Sequence, residues 1–503
     1  MNKAIRMPSE NRRAAVICAV VSLALAIVFS LIFYTCNTPL GPAIGSDNAM
    51  YLTMGTALAQ GYAPYKDIFD HKGPLLFILQ TIPQLFSSGY LTVTVFMQEV
   101  LFLWACLLVL ARMARRLNVS ALAVQLVYLA VYARLTDGGN LTEEYTNLFT
   151  LIGFDALFRV FDTGDGLGGQ DAKALAKPAF LVGVMAMLAF MTRANNMLVL
   201  AGATCMVALC MVAARRFEHV GVCAASLLCG CALAAAPIVL WLASHGALKD
   251  AVYGAITHNM MYADTGDVSR VTVLLHRQYG HYAIFVAGMT CCGAVAYYIR
   301  TKRIPLTLAM IAAAACGGYA AFISHKYYYH YQMLAVPAAA LGGAHLLAWT
   351  GKYLPRRKRL LEAAVCVLCV LHLALYGADV NTMRISDEKD MQRVERSAQA
   401  LYAMVPEEDR DSFLAYRVEP KWYVGAKALP CMRFYFLQEI LGQADPAVMD
   451  EIAETFETDP PKWLVIFYNR EFGPPYDKRV AEIFETRYEF VDAREEYQLL
   501  KLK

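Results

Sequence analysis

Eleven long apolar runs fill the first three quarters of this 503-residue chain, and no other feature limits its fold so strongly. A run of about 20 apolar residues is long enough to cross a bilayer as a helix, and within hydrocarbon the backbone must satisfy its own hydrogen bonds. The runs are 14–34, 90–110, 119–135, 142–160, 178–192, 195–213, 220–242, 282–298, 305–323, 331–348 and 360–376. At 58% hydrophobic and 17% charged residues, the chain is too apolar for an ordinary soluble domain. The expected fold class is a polytopic α-helical membrane protein with a bundle of about eleven transmembrane helices, short or tilted ones included.

Charge orients the bundle. Lys3, Arg6, Arg12 and Arg13 precede the first run, which is too long for the apolar core of a signal peptide and lacks a clean small-x-small end. It reads as a retained helix with a cytoplasmic N-terminus. Arg112, Arg115 and Arg116 then fall on the same side, as do Arg215 and Arg216, then Arg300, Lys302 and Arg303, then Lys352 with Arg356, Arg357, Lys358 and Arg359. The stretch 74–86, with Pro74 and Pro83, is short, and counting it as a crossing would move the later basic junctions outside. It is expected to lie along or dip into the outer interface.

From about Asp379 the long runs stop. The division expected is a membrane domain over 1–378 and a soluble extracytoplasmic α/β domain over 379–503, with a helix at 388–404 and strands at 413–416, 463–468 and 497–502. Residues 379–503 hold 25 acids against 17 bases, a net of −8, so the preceding part carries +11 of the total +3. Two unlike halves average to a mild pI, which gives no reason to invoke nucleic acid. Twelve of the fourteen cysteines lie in or beside apolar runs, which excludes a disulfide framework. Cys36 and Cys431 are the exceptions, and nothing in the sequence brings them together.

The chemistry concentrates in residues 46–75, S-D-N-A-M-Y-L-T-M-G-T-A-L-A-Q-G-Y-A-P-Y-K-D-I-F-D-H-K-G-P-L, directly after the first run. Placing Asp47, Asp67, Asp70, His71 and Lys72 beside a bilayer is costly unless they face water, substrate or one another, so the loop reads as an active-site loop. The structural alternatives are a helix N-cap for Asp47 and a snorkelling interfacial anchor for Lys72.

This loop resembles that of the GT-C membrane glycosyltransferases, the superfamily holding protein O-mannosyltransferases and the lipid A aminoarabinose transferase. The matching elements are Asp47, Tyr51, Ala57, Gly61 with Tyr65, and Asp70-His71-Lys72-Gly73-Pro74-Leu75. Two departures stand out: Gly73 replaces the first proline of the pattern, and Asn48 stands where many relatives carry a second acid. The resemblance implies a GT-C-like bundle, with interfacial helices in the first outer loop, that transfers a sugar from a polyprenyl-phosphate donor to a glycan, lipid or protein acceptor at the outer face of the cell membrane. It implies Asp47 as the base, a single inverting displacement, and Lys72 with Arg193 on the leaving phosphate.

The same resemblance extends to Thr142-Glu143-Glu144, where Glu143 or Glu144 would face Asp47, orient the acceptor or hold a divalent cation; no cofactor is otherwise implied. The alternative there is an acid complementing a helix N-terminus. It covers Thr192-Arg193-Ala194-Asn195 and the segment S-H-K-Y-Y-Y-H-Y-Q-M-L-A-V-P. Asp70, His71, His258, His325, Lys326 and His330 are read as substrate-binding, and the tyrosines of that segment as an aromatic belt. Apart from His325 and His330, no His pair has the short spacing of a helical metal-ligand motif, so no zinc site is expected. The rival function is a transporter or flippase of a lipid-linked sugar, which would want ionisable groups at mid-membrane and related halves; no repeat is visible.

Overall fold

Each expected apolar run forms a helix. The computed structural model describes residues 9–86, 90, 92–162, 166, 167, 169, 171–263, 269–276, 279–323, 328–467 and 477–503. The first loop and early bundle comprise α1 Ser9–Phe33, α2 Ser46–Ala59, α3 Pro74–Gln84, α4 Thr92–Arg116, α5 Ala121–Tyr132, α6 Thr142–Phe161, α7 Ala176–Thr192, α8 Leu198–Ala213 and α9 Phe217–Ser244. Three short helices follow, α10 Leu248–Val252, α11 Asn259–Ala263 and α12 Arg270–Leu275. The bundle closes with α13 Tyr279–Thr301, α14 Ile304–Phe322, α15 Val336–Tyr353 and α16 Lys358–Tyr402.

Among the described residues nine helical segments are long and apolar enough to cross a membrane. The other two expected crossings are α5, which is short, and α6, which carries Glu143, Glu144, Asp155 and Arg159. Helix α6 is buried along most of its length, so Glu143, Glu144 and Asp155 meet protein instead of lipid. Thr146 Oγ1 lies 2.9 Å from Thr192 Oγ1 and accepts from Asn196 Nδ2 at 2.9 Å, while Asn147 Nδ2 donates to the Tyr128 hydroxyl.

The helices alternate in direction, which gathers the basic junctions at one end. Arg112, Arg116 and Arg159 converge on Asp155, Arg303 pairs with Asp162, and Lys352 Nζ donates to the Arg300 carbonyl. At the opposite end lie α2, α3 and the loop between them. Helix α2 crosses α3 at Gly55, where a Cβ would come within 2.5 Å of the Gln80 carbonyl oxygen. Within stretch 74–86, α3 is an 11-residue helix packed on α2, shorter than any of the helices long enough to cross a membrane among the described residues.

Helix α16 corrects the expected layout. The last apolar run and the helix expected at 388–404 are one helix of 45 residues: 377–387 contains no Pro, and Gly377 and Asn381 remain helical. It leads into a four-stranded sheet of order β1-β2-β4-β3, where β1 is Phe413–Tyr416, β2 Trp463–Phe467, β3 Tyr488–Arg494 and β4 Tyr497–Leu502. Strand β1 pairs parallel with β2; the other pairs are antiparallel. The sequence pattern missed β3, an edge strand whose mixed charges leave it largely exposed. The sheet's helices are α17 Lys421–Ala426, α18 Gln438–Ala444, α19 Ala447–Thr458 and α20 Lys478–Arg487.

This C-terminal part seats on the first loop and on the α9–α11 region. Phe69 N donates to the Arg433 carbonyl at 2.9 Å, the Tyr435 hydroxyl to the Met50 carbonyl at 3.3 Å, and Arg433 pairs with Asp250 at 3.3 Å. Cys36 and Cys431 are both free thiols.

Candidate active site

Helix α2 sets the position of Asp47. Its N-cap is Gly45, which offers no side-chain acceptor, and Asp47 stands inside the first turn instead of before the helix. The expected cap role therefore does not hold in this geometry. The Ser46 hydroxyl is spent on Glu419, and Asp47 is half-buried with no hydrogen-bond partner among the described residues. One turn on, Tyr51 is buried among Asp47, Asp70, Glu143 and Arg193, all close enough to act on its hydroxyl electrostatically. The next residue, Asn48, points away into a buried amide network. Its Oδ1 accepts from Asn37 Nδ2 at 3.2 Å and from Asn140 Nδ2, and Asn37 also donates to Glu99 Oε2. A second acid at position 48 would confront Glu99, which is a physical reason for the amide there.

The loop after α2 delivers Lys72. Tyr65, at φ 65°, makes a tight turn in which its N–H donates to the Ile68 carbonyl, and Asp67 Oδ2 accepts from Ala63 N at 2.7 Å. Asp67 therefore shapes the loop. The Tyr65 hydroxyl then holds the Lys72 carbonyl at 2.6 Å. Gly73 N donates to the Thr192 carbonyl at 2.9 Å, and a Cβ on Gly73 would sit 2.2 Å from the Met191 carbonyl oxygen. Proline has no N–H to give and no room here, so the departure at Gly73 follows from this contact. The same contact brings Lys72 to the α7 terminus, where Arg193 begins.

Both cations are buried and compensated. Lys72 Nζ lies 3.3 Å from His71 Nε2, 3.8 Å from Asp70 Oδ1 and 5.7 Å from the Tyr51 ring centre. His71 Nδ1 lies 3.1 Å from Asp70 Oδ1. Burial would raise the Asp70 carboxyl, yet Lys72 and His71 outweigh it and hold it well below the usual range. Burial, reinforced by the Lys72 charge, lowers His71 to about 4 against the opposing pull of Asp70. The ring is neutral near pH 7 and can accept from the Lys72 ammonium. Arg193 donates to Glu143 Oε1 at 3.3 Å and to the Tyr331 hydroxyl at 2.7 Å, and its guanidinium lies 4.4 Å from the Tyr331 ring centre. Its Nε is buried with no acceptor among the described residues.

The two adjacent acids of α6 separate. Glu143 faces Arg193, whereas Glu144 turns back to accept from Asn140 N at 2.8 Å, from Leu141 N at 3.4 Å and from the Tyr132 hydroxyl at 2.8 Å. Glu144 closes its own helix N-terminus, the structural alternative for an acid at this place. His330 Nδ1 donates to Asp137 Oδ2 at 3.2 Å, a bond that lowers the Asp137 pKa, and Asp47 and Glu143 are close enough to act on the His330 charge. His258 is buried beside His71, ring centres 6.2 Å apart, under the C-terminal part and against the Leu441 carbonyl. Burial lowers its pKa. His325 and Lys326 lie outside the described residues.

Two participants escaped the sequence reading. Tyr331, assigned to the aromatic belt, is buried on Arg193; its position next to His330 was the available signal. Glu99, a lone acid in the apolar run of α4, joins the amide network behind α2, and an acid in such a run was itself a sign of function or pairing. Among the described residues no group of three His, Cys, Asp or Glu side chains is placed to hold a metal ion. The carboxylates nearest a shared cation site are spent otherwise, Glu143 on Arg193 and Glu144 on backbone N–H groups.

No family model and no curated protein matches the chain. Its backbone nevertheless has the fold of the GT-C membrane glycosyltransferases. The likeness is to ArnT from Cupriavidus metallidurans: the crystal structure bound to undecaprenyl phosphate superposes with TM-score 0.60 at 13% identity, covering 96% of this chain and 97% of that one. The apo structure of the same protein gives TM-score 0.62 at 13% identity, covering 97% and 98%.

The His71 environment generates a pH prediction. The folded protein keeps His71 neutral down to about pH 4, whereas the unfolded chain protonates it near 6.5. Between those values the unfolded state binds the extra proton, so this stability is complete above pH 6.5 and lost as pH falls toward 4, by up to about 3 kcal/mol. His71→Gln keeps an acceptor for Lys72 and removes the titration. Melting temperatures in detergent should therefore fall more steeply for the wild type than for the variant between pH 6.5 and 4.

Proposed function

We propose that the protein transfers a sugar from a polyprenyl-phosphate donor to an acceptor hydroxyl at the end of the bundle that carries α2. One observation carries the reading: two buried cations, Lys72 and Arg193, converge with Asp47 around Tyr51, and Arg193 Nε remains an open buried donor. The likeness to ArnT solved with undecaprenyl phosphate supports it. The acceptor oxygen attacks the anomeric carbon and gives its proton to the Asp47 carboxylate. The bond from that carbon to the phosphate oxygen breaks, and the phosphate departs with the electron pair toward Lys72 and Arg193. One displacement inverts the anomeric centre. The clustering of charges at helix ends favours this reading over a transporter, whose sites lie near the bilayer midplane.

Lys72→Met keeps most of the apolar stem and removes the charge. Donor affinity and turnover should fall together while the yield of folded protein holds, since the charge contacts phosphate in both ground and transition states. Wild-type values for both on the purified variant would remove Lys72 from the site.

Asp47→Asn should retain the fold and undecaprenyl phosphate binding but lower turnover by about 10²–10⁴-fold, the usual worth of a general base. Single-turnover transfer with donor in excess measures this. Near-normal rates would move the base to Glu143.

The basic end is proposed to face the cytoplasm, with α2 and the C-terminal sheet outside, on the strength of the Lys and Arg bias. In a background without reactive cysteines, Lys66→Cys should react with an impermeant thiol reagent added to intact cells and Arg357→Cys should not. The reverse pattern would invert the topology.

A further inference from the structure

We propose that a second cavity, between α1, α13 and α16, binds an anionic group of the acceptor, phosphate or carboxylate, through Arg134 and Arg384. Only the word acceptor rests on the transferase reading; the anion site stands on its own observations. The cavity has a volume of ≈ 840 Å³ and contains neither Lys72 nor Arg193 in its wall. It adjoins the reaction site through shared wall residues. Asp137, in the wall, is held by His330, and Gly45, also in the wall, is the N-cap of the helix that carries Asp47.

The chemistry of the wall changes along α16. Tyr376, Val380, Met383, Arg384 and Asp387 all line the cavity, and their spacing places them on one helix face. That face passes from aromatic and aliphatic near the apolar run to charged beyond it. Phe285 and Met383 are 53% and 65% exposed, so the apolar part opens sideways on the surface of the bundle. An amphiphile with a charged head and an apolar tail would match this gradient.

The two guanidiniums hold unspent donors. Arg134 is exposed, lies 5.1 Å from the Tyr376 ring centre, and has no carboxylate within ion-pair distance among the described residues. Arg384 gives one N–H to Asn381 Oδ1 at 2.7 Å, while its buried Nε has no acceptor there. The acids of the wall do not neutralise them: Asp137 is engaged by His330, and Asp387, one turn beyond Arg384, makes no ion pair with it among the described residues. A guanidinium in a cavity wall, with N–H groups not paired to a carboxylate among the described residues, suits the forked recognition of phosphate or carboxylate.

The test uses the full-length chain in neutral detergent, with Lys72→Met as background to weaken probe binding on the donor side. Dioleoyl phosphatidic acid should bind saturably, dioleoylglycerol should not, and adding Arg134→Gln with Arg384→Gln should weaken phosphatidic acid binding about tenfold or more. Competition by inorganic phosphate at comparable affinity would assign a soluble anionic acceptor, and its failure to compete a membrane-anchored one; either supports the site. Equal phosphatidic acid binding with and without the arginines, or no binding at all, overturns it. Undecaprenyl phosphate binding by the arginine variants with Lys72 intact reports folding, and Arg384→Gln alone, on an exposed part of α16, gives the same reading should the double variant not fold. Absence of sugar transfer by the wild-type chain, with phosphatidic acid binding intact, would refute the transferase reading and leave the anion site standing.

Discussion

The backbone hydrogen bond from Gly73 to the Thr192 carbonyl is the contact on which the site depends. It joins the first loop to the α7 terminus and so places Lys72 and Arg193, 121 positions apart in sequence, in one buried region. Two cations brought together out of water repel each other and each loses hydration worth several kcal/mol. Each accordingly has its own carboxylate, Asp70 for Lys72 and Glu143 for Arg193. Removing either acid would leave an uncompensated buried charge, a loss of about 3–5 kcal/mol in comparable pairs. Carboxylates that look catalytic by type are here partly the means by which the cations remain in place.

The α6 helix shows the same division within two residues. Successive side chains on a helix point about 100° apart, so Glu143 and Glu144 cannot share a face. The first reaches Arg193 and the second reaches back to its own helix start and to Tyr132. Behind them, the amides of Asn37, Asn48 and Asn140 join α2 to the α1–α2 segment, α4 and the α5–α6 loop without adding charge. Asp47 therefore projects from a helix anchored on its opposite side, while its own carboxylate carries no hydrogen bond among the described residues. Such a group, fixed in position but unengaged, is what a base acting on an incoming hydroxyl requires.

The C-terminal part bears on the site through loops, with Glu419 holding the Ser46 hydroxyl beside Asp47. Arg433 bonds the backbone of Phe69 and pairs with Asp250, and Leu441 meets His258. These contacts brace the segment that turns into Asp70, His71 and Lys72. Helix α16, continuous from the basic end to the sheet, couples the position of this cover to the bundle and forms one wall of the second cavity.

Apolar run length and the side of each basic junction decided the helical bundle and its two-ended charge, because hydrocarbon leaves the backbone few alternatives. The first-loop motif likewise marked Asp47, Asp70, His71 and Lys72, since ionisable groups beside a bilayer require a reason. What pattern alone could not decide was pairing at long range. That Arg193 rests on Glu143 and Tyr331, that Glu144 turns away, that Asn37 links Asn48 to Glu99, and that α16 runs unbroken into the sheet all depend on which helices touch. The sequence carries the side chains that compensate each buried charge; only the packed bundle, by excluding water from particular pairs, determines which of them meet.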